Sequence, residues 1–266
     1  MPEAPPTVLT IAGFDPSSGA GITADIKTIA MNGCYGIAAI TAMTVQSTLG
    51  VRRTVPTDPK LLRDTLDELL RVGKVSAVHI GMLGNADVVS EVAGFLESSH
   101  LPNVILDPVF RSSSGAELLD QNGREFLRRS LLPLTDVLTP NVDEAARLTG
   151  LEVGNTEQMK LAAQHLHEMG SRAVVVTGGH LNRAVDLLSI RGEDVRIFRA
   201  DHVDSANTHG TGCAFSTALA CQLALGQPLP VAVLLAKAYV LMAIKNSYAV
   251  GHGPGPINHT YGISNR

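Results

Sequence analysis

The hydrophobic period of this chain switches again and again between strand and helix. Short apolar runs come first: TVLTIAGF from Thr7, YGIAAITAMTVQ from Tyr35, AVHIGML from Ala77, NVILDPV from Asn103, DVLTPN from Asp136 and AVVVTGG from Ala173. Between them lie stretches whose apolar residues recur at helical spacing: GAGITADIKTIAMNG, PKLLRDTLDELLRVG, NADVVSEVAGFLESS and NTEQMKLAAQHLHEMG. Gly33 closes the first helix and Asn85 caps the third. A strand followed by a helix needs a crossover before the next strand. This alternation therefore predicts an α/β fold, with a mainly parallel sheet between two helical layers.

Two regions break the rhythm. QSTLGVRRTVPTD reads as a short flap of strands. AVDLLSIRGEDVRIFRADHVD reads as two antiparallel strands about a turn at Gly192-Glu193-Asp194. The last third is helical, in TGCAFSTALACQLALG and PLPVAVLLAKAYVLMAIKNSYAVG. No linker or repeat interrupts the chain, so residues 1–266 are expected to form one domain with a flexible Pro-rich start over 1–6.

Hydrophobic residues make up 45% of the 266, enough for a large core. Twenty-five acidic and 21 basic residues leave a net charge of −4 with no basic run, and Trp is absent. Nucleic acid is therefore a poor partner. No apolar run has membrane-spanning length, and the N-terminus lacks a basic segment of the signal-peptide type. Three cysteines without a C-x-x-C argue against a disulfide framework or structural zinc and fit a cytoplasmic setting.

Ligands of open parallel sheets bind beyond the carboxyl ends of the strands. The residues there are Gly13-Phe14-Asp15, Gln46, Gly81-Met82, Asp107-Pro108-Val109, Asn141 with Glu144, and Gly178-Gly179. The turn at Gly210, Thr211, Gly212 and Cys213 joins them. Its glycines allow several N–H groups to converge, and the helix that follows adds its positive end. The turn reads either as an anion site or as a glycine-rich helix start. SSGAG, with Gly19 and Gly21, offers the same two readings. Neither the Walker pattern nor G-x-G-x-x-G is present, since Phe215 takes the last glycine position of the latter. Asp107 and Glu144 suit Mg²⁺, which needs few carboxylates and keeps several waters. Glu144 equally suits a helix-capping partnership with Asn141. Cys213 reads as a small packing residue or as a reactive thiol.

Taken together, TIAGFDPSSGAGITADIKT, YGIAAITAMTVQST, HIGML, VILDPV, LTPNVDEA, GGHL, NTHGTGC and VGHGPGP resemble the hydroxymethylpyrimidine/phosphomethylpyrimidine kinases of thiamine biosynthesis. These belong to the ribokinase-like superfamily. The matching stretches span Thr10 to Pro256. The resemblance implies a ribokinase-like three-layer α/β/α sandwich. It implies MgATP-dependent phosphorylation of 4-amino-5-hydroxymethyl-2-methylpyrimidine and then of its monophosphate, and a homodimer to which the flap near Thr48–Val55 would contribute. Gln46 would bond the aminopyrimidine; Met82 and Val109 would line its faces, with Gly13 and Asp15 beside it. Asp107, Asn141 and Glu144 would organise Mg²⁺ and ATP phosphates, with Thr177 and Gly179 on the ATP side. Gly210, Thr211 and Gly212 would form an anion hole, and Cys213 would act as catalytic base, its thiolate favoured by the helix N-terminus.

Three departures from the family pattern stand out. Phe14 takes the place of a small polar residue and would reshape the pyrimidine site. DPVFRSSSG is unusually polar and basic, and its Arg111 would meet either a phosphate or solvent. Thr177 replaces a lysine, with Arg183 as a possible substitute cation. Two other functions suit the same residues: a pyridoxine, pyridoxal or pyridoxamine kinase, and a non-catalytic pyrimidine- or nucleotide-binding module. An unpaired buried Gln46 amide would penalise the pyridine ring.

Overall fold

A computed structural model describes residues 3–71, 73–179, 184–201 and 203–263. The chain runs β1 (Thr7–Phe14), α1 (Gly21–Met31), β2 (Tyr35–Ser47), β3 (Gly50–Pro56), α2 (Pro59–Arg71), β4 (Val75–Ile80), α3 (Ala86–Ser99) and β5 (Val104–Leu106). It continues through α4 (Gln121–Phe126), β6 (Val137–Leu138), α5 (Val142–Thr149), α6 (Thr156–Glu168), β7 (Ala173–Gly178), β8 (Ala184–Ile190) and β9 (Arg196–Ala200). It ends in α7 (Thr211–Ala224) and α8 (Leu229–Lys245). The strands form one sheet in the order β3-β2-β1-β4-β5-β6-β7-β8-β9. The run from β2 to β7 is parallel, while β3 and the β8–β9 pair are antiparallel additions at the two edges. This is the three-layer α/β/α arrangement expected from the alternation.

Each inner strand is apolar on both faces because helices cover both. Leu9, Ile11, Val174 and Val176 face the layer of α2, α3, α5 and α6. Their neighbours Val8, Ala173 and Val175 face α1, α7 and α8. The alternation follows from the period of two along a strand. Small residues on α7, namely Ala214, Ala218, Ala220 and Cys221, are all fully buried and let it lie deep in that second layer.

Strands β5 and β6 are shorter than the apolar runs suggest. Each stops just before a Pro-containing segment, Asp107-Pro108 and Thr139-Pro140. Proline offers no N–H to the ladder, so the backbone leaves the sheet and carries Asp107 and Asn141 outward. Asn85 caps α3 by accepting a hydrogen bond from Val88 N–H at 3.0 Å. Helix α4 and the two turns after it, Leu127–Leu131 and Leu132–Leu134, had no distinct periodic signal. Chain order reverses between β1 and β4: β1 connects to β2 on one side, while β4 lies on the other. Such a switch point opens a crevice at the carboxyl ends of the strands.

Candidate active site

A cleft of about 510 Å³ lies at that crevice. The residues given a catalytic, substrate, nucleotide or metal role all line it except Gly179: Gly13, Asp15, Gln46, Met82, Asp107, Val109, Asn141, Glu144, Thr177 and Gly210 to Cys213; Gly19, Gly81, Pro108 and Gly178 lie beside it. They come from the ends of β1, β2, β4, β5, β6 and β7 and from the start of α7. Gly179 lies beyond this lining, with open space on its side-chain side. Arg183, and the His180-Leu181 part of GGHL, lie outside the described residues.

One wall is apolar. Met82 packs with Ala42 and Leu118, and Val51 and Val109 close over them. A Cβ on Gly13 would meet Met82 Sδ at 2.7 Å, so the glycine makes room for the thioether. Gln46 stands beside this wall on β2, with Thr44 Oγ1 3.2 Å from its Oε1. Phe14 also lines the cleft, so it bounds the site as expected of a bulky residue there. A flat heteroaromatic ring fits such a mixed surface: apolar faces and one amide edge.

The opposite side is built from two helix starts. The backbones of the SSGAG loop and the Gly210 turn touch, because a Cβ on Gly210 would strike the Gly19 carbonyl oxygen. Gly210 has φ +86° and Gly21 has φ +57°. Neither α1 nor α7 has a side-chain cap on its first turn. The positive dipole ends of both helices therefore meet at the cleft, where Ala20, Gly21 and Gly210 to Cys213 all line it. Both glycine turns are thus helix starts that open onto the cleft.

Asp15 lines the cleft and holds the loop that follows it. Its carboxylate accepts Ser17 N–H at 2.8 Å, Ser17 Oγ–H at 2.6 Å and Ala20 N–H at 2.9 Å, and lies 3.2 Å from His209 Nε2. The loop that follows thus folds around this carboxylate. Burial pushes its pKa up, but the bonds from His209 and Ser17 outweigh burial and hold it below the ordinary carboxylate range. His209 escaped the sequence reading although it sits inside NTHGTGC. Its ring joins Asp15 to Ser113, whose Oγ is 3.1 Å from Nδ1, and so ties two cleft loops together. No local signal marks that role, since the partners are distant in sequence.

Asn141 and Glu144 form a reciprocal capping box on α5. Asn141 Oδ1 accepts Glu144 N–H at 2.9 Å, and Glu144 Oε2 accepts Asn141 N–H at 2.9 Å. Capping therefore uses one Glu144 oxygen, and the residue still lines the cleft. Burial and the nearby Asp107 push its carboxyl well above the ordinary value. Burial also raises Asp107, to about 6, although His79, Ser216 and Cys213 pull it down. Two buried carboxylates with raised pKa values beside one cleft form a site short of positive charge. Among the described residues no cluster of three or more His, Cys, Asp or Glu suits a metal. Two carboxylates with open space for water fit Mg²⁺ better than an all-protein cage.

Cys213 corrects an expectation. Burial and the charges of Asp107 and Asp25 push its thiol well above the ordinary value, although Gly21 N–H pulls it down. The helix start does not lower the thiol here; burial first and the neighbouring carboxylates second outweigh it. Thr177 lines the cleft without bringing a cation, and Arg111 and Arg147 line it as well. Cys34 and Cys221 are buried together in the second core layer, as packing residues.

A family model described as phosphomethylpyrimidine kinase matches residues 15–258. The hydroxymethylpyrimidine/phosphomethylpyrimidine kinase of Haemophilus influenzae is 41% identical over 257 residues, 95% of this chain and 96% of that protein. The thiamine biosynthesis bifunctional protein ThiED of Geobacter sulfurreducens is 40% identical over 255 residues; these are 95% of this chain but 52% of that longer protein. Among solved structures, an ADP complex of Bacillus subtilis pyridoxal kinase superposes with a TM-score of 0.90 at 34% identity, covering 97% of this chain and 98% of that one. A phosphomethylpyrimidine kinase from Clostridium difficile 630 gives a TM-score of 0.80 at 34% identity, covering 90% and 99%.

Proposed function

The chain belongs to the phosphomethylpyrimidine kinase family, and from that premise we propose that it transfers the γ-phosphoryl group of ATP twice. The first acceptor is the hydroxymethyl oxygen of 4-amino-5-hydroxymethyl-2-methylpyrimidine, and the second is the resulting monophosphate. The observation that carries this reading is the meeting of two uncapped helix N-termini opposite two buried carboxylates, beside an apolar wall with one amide.

In this reading Met82 and Val109 hold the ring faces and Gln46 pairs with its amine edge. Gly210, Thr211 and Gly212 supply N–H groups to the phosphoryl oxygens as charge develops there. Asp107 and Glu144 would hold Mg²⁺, which when bound offsets the negative charge of the nucleotide phosphates. Cys213 rests as a thiol. It would take up the acceptor hydroxyl proton after releasing its own to solvent, a loss that Mg²⁺ held by Asp107 and Glu144 would favour by offsetting the carboxylate charges that raise the thiol. Arg111 and Arg147, rather than position 177, are the cations at hand for phosphate oxygens.

The paired state is part of the proposal. On β2, β3 and the turn between them the side chains of Met43, Val45, Leu49 and Val55 are exposed near an edge of the sheet. A second copy would cover such a patch. Sedimentation of the purified protein as a monomer would remove this part of the reading. Among the described residues no helix is long and apolar enough to cross a membrane.

ADP release with MgATP tests the function, with hydroxymethylpyrimidine, its monophosphate and pyridoxal compared side by side. Turnover of both pyrimidines supports the double kinase. The likeness to a pyridoxal kinase gives the second reading weight. Turnover of pyridoxal alone would establish it, and Phe14 would be the first residue to exchange. Binding without any turnover would leave a pyrimidine- or nucleotide-binding module.

A further inference from the structure

Beneath the cleft, between β1, β4, α1 and α7, lies a polar chain that the transfer mechanism above does not use. Thr10, Asp25, His79, Ser216 and Thr217 are all fully buried. Asp25 accepts Thr10 Oγ1–H at 2.7 Å and Thr217 Oγ1–H at 2.9 Å. His79 Nδ1 lies 3.1 Å from Thr10 Oγ1, 3.3 Å from Thr217 Oγ1 and 3.4 Å from Asp25 Oδ2. Each threonine has one proton, and both are given to Asp25. Every partner of Nδ1 is therefore an acceptor, and Nδ1 carries a proton.

The other ring nitrogen decides the charge. His79 Nε2 is 3.0 Å from Ser216 Oγ. Ser216 Oγ is also 3.3 Å from Asp107 Oδ2, 3.0 Å from Gly212 O and 3.1 Å from Cys213 O. The two carbonyls belong to the first turn of α7 and face helix N–H groups four residues on. The Asp107 oxygen is the acceptor with most to lose. A neutral His79 would consume the Ser216 proton at Nε2 and leave Asp107 without it. An imidazolium donates to Ser216 instead and frees that hydroxyl for Asp107.

We propose that His79 is a positioning residue held as an imidazolium, which acts through Ser216 to orient and charge-balance Asp107 at the phosphoryl-transfer site. Fully buried as they are, Asp25 and Asp107 need a cation between them, and His79 is placed to supply it. Its pKa moves in the same direction: burial pulls it down, and the charge and hydrogen bond of Asp25 with the charge of Asp107 together outweigh burial and raise it. The inference deepens the kinase reading and rests on it for the consequence, though not for the protonation state.

The test has two arms. In wild-type protein labelled with ¹⁵N-histidine, both ring nitrogens of His79 should carry protons at pH 7.5, about one unit above the ordinary imidazole value. A single protonated nitrogen would overturn the proposal. In the second arm, Ser216→Ala and His79→Gln should each lower kcat by about 10- to 100-fold with acceptor KM little changed. The double variant should lose no more than the worse single one, because the two residues act as a unit. Wild-type-like kcat in Ser216→Ala would overturn the proposal even if His79→Gln failed to fold. Failure of the kinase reading itself looks different: wild-type protein would release no ADP.

Discussion

Side chain by side chain, the chemistry falls on Cys213 and Asp107, and the two can be separated. The first acceptor oxygen carries a proton that must leave, whereas the phosphate oxygen of the second acceptor is already anionic. Cys213→Ala should therefore slow single-turnover transfer to hydroxymethylpyrimidine by about 10²–10⁴-fold, the range of general-base help. Transfer to the monophosphate should fall less than 10-fold. Equal losses in both steps would make Cys213 a packing or positioning residue. Asp107 is costly to the protein that carries it, since burial lifts its pKa to about 6. Asp107→Asn keeps an acceptor for Ser216 and removes the buried charge. It should raise the stability of the ligand-free protein at pH 8 by about 1 kcal/mol while abolishing turnover, the trade expected where a site is strained for function. A lower melting temperature for this variant would show instead that the charge network stabilises the fold.

Among the elements, the decisive contact is between two loops, SSGAG and the Gly210 turn. Gly210→Ala faces both a φ of +86° and a collision with the Gly19 carbonyl oxygen. It should lose about 1–3 kcal/mol of stability and at least about 10²-fold in turnover, because both anion-binding turns must shift. Gly226 is the control, with φ +80° and open space around it at the end of α7. Gly226→Ala should show a similar backbone penalty of about 1 kcal/mol with unchanged kcat. If Gly210→Ala kept its activity, the two-turn cradle would not be the phosphate site. The same contact shows what the sequence displayed and what it hid. Strand ends, glycines and the residues after them were legible because periodicity and turn chemistry are local. Asp15, Cys213 and His209 were identified by position only, or missed. The burial and carboxylates that hold Cys213 as a thiol, and the partners that His209 joins, come from other strands and loops. Glu144 lay between these cases: its capping box was readable from spacing, but its burial beside Asp107 was not.

In the molecule as a whole, the C-terminal segment closes the site from behind. His209 N–H donates to Gly255 O at 3.2 Å, and Ile257 N–H donates to His209 O at 3.3 Å. Two residues on, the His259 carbonyl accepts the Tyr239 hydroxyl of α8 at 2.7 Å. The His259 ring is buried, and among the described residues its Nε2 has no hydrogen-bond partner. Burial and the nearby Lys27 charge depress its pKa to about 4, from an ordinary 6.5. Between those values the unfolded chain binds a proton that the folded chain refuses. Stability from this group is thus complete above pH 6.5 and is lost as pH falls toward 4, by about 3 kcal/mol in all. Asp107 works in the opposite sense over part of the same range, because its folded pKa is raised; the comparison of wild type with His259→Phe cancels that background. The variant keeps the backbone carbonyl that Tyr239 uses and removes the titrating ring. Urea unfolding at pH 7, 5.5 and 4.5 should show wild type losing stability relative to His259→Phe at each step down. ADP release should fall with it, because the segment that opens also holds His209 and the anion turn. A difference between the two proteins that stayed constant with pH would mean that His259 is not buried as a neutral imidazole, and that the tail is not the acid-sensitive clasp of this site.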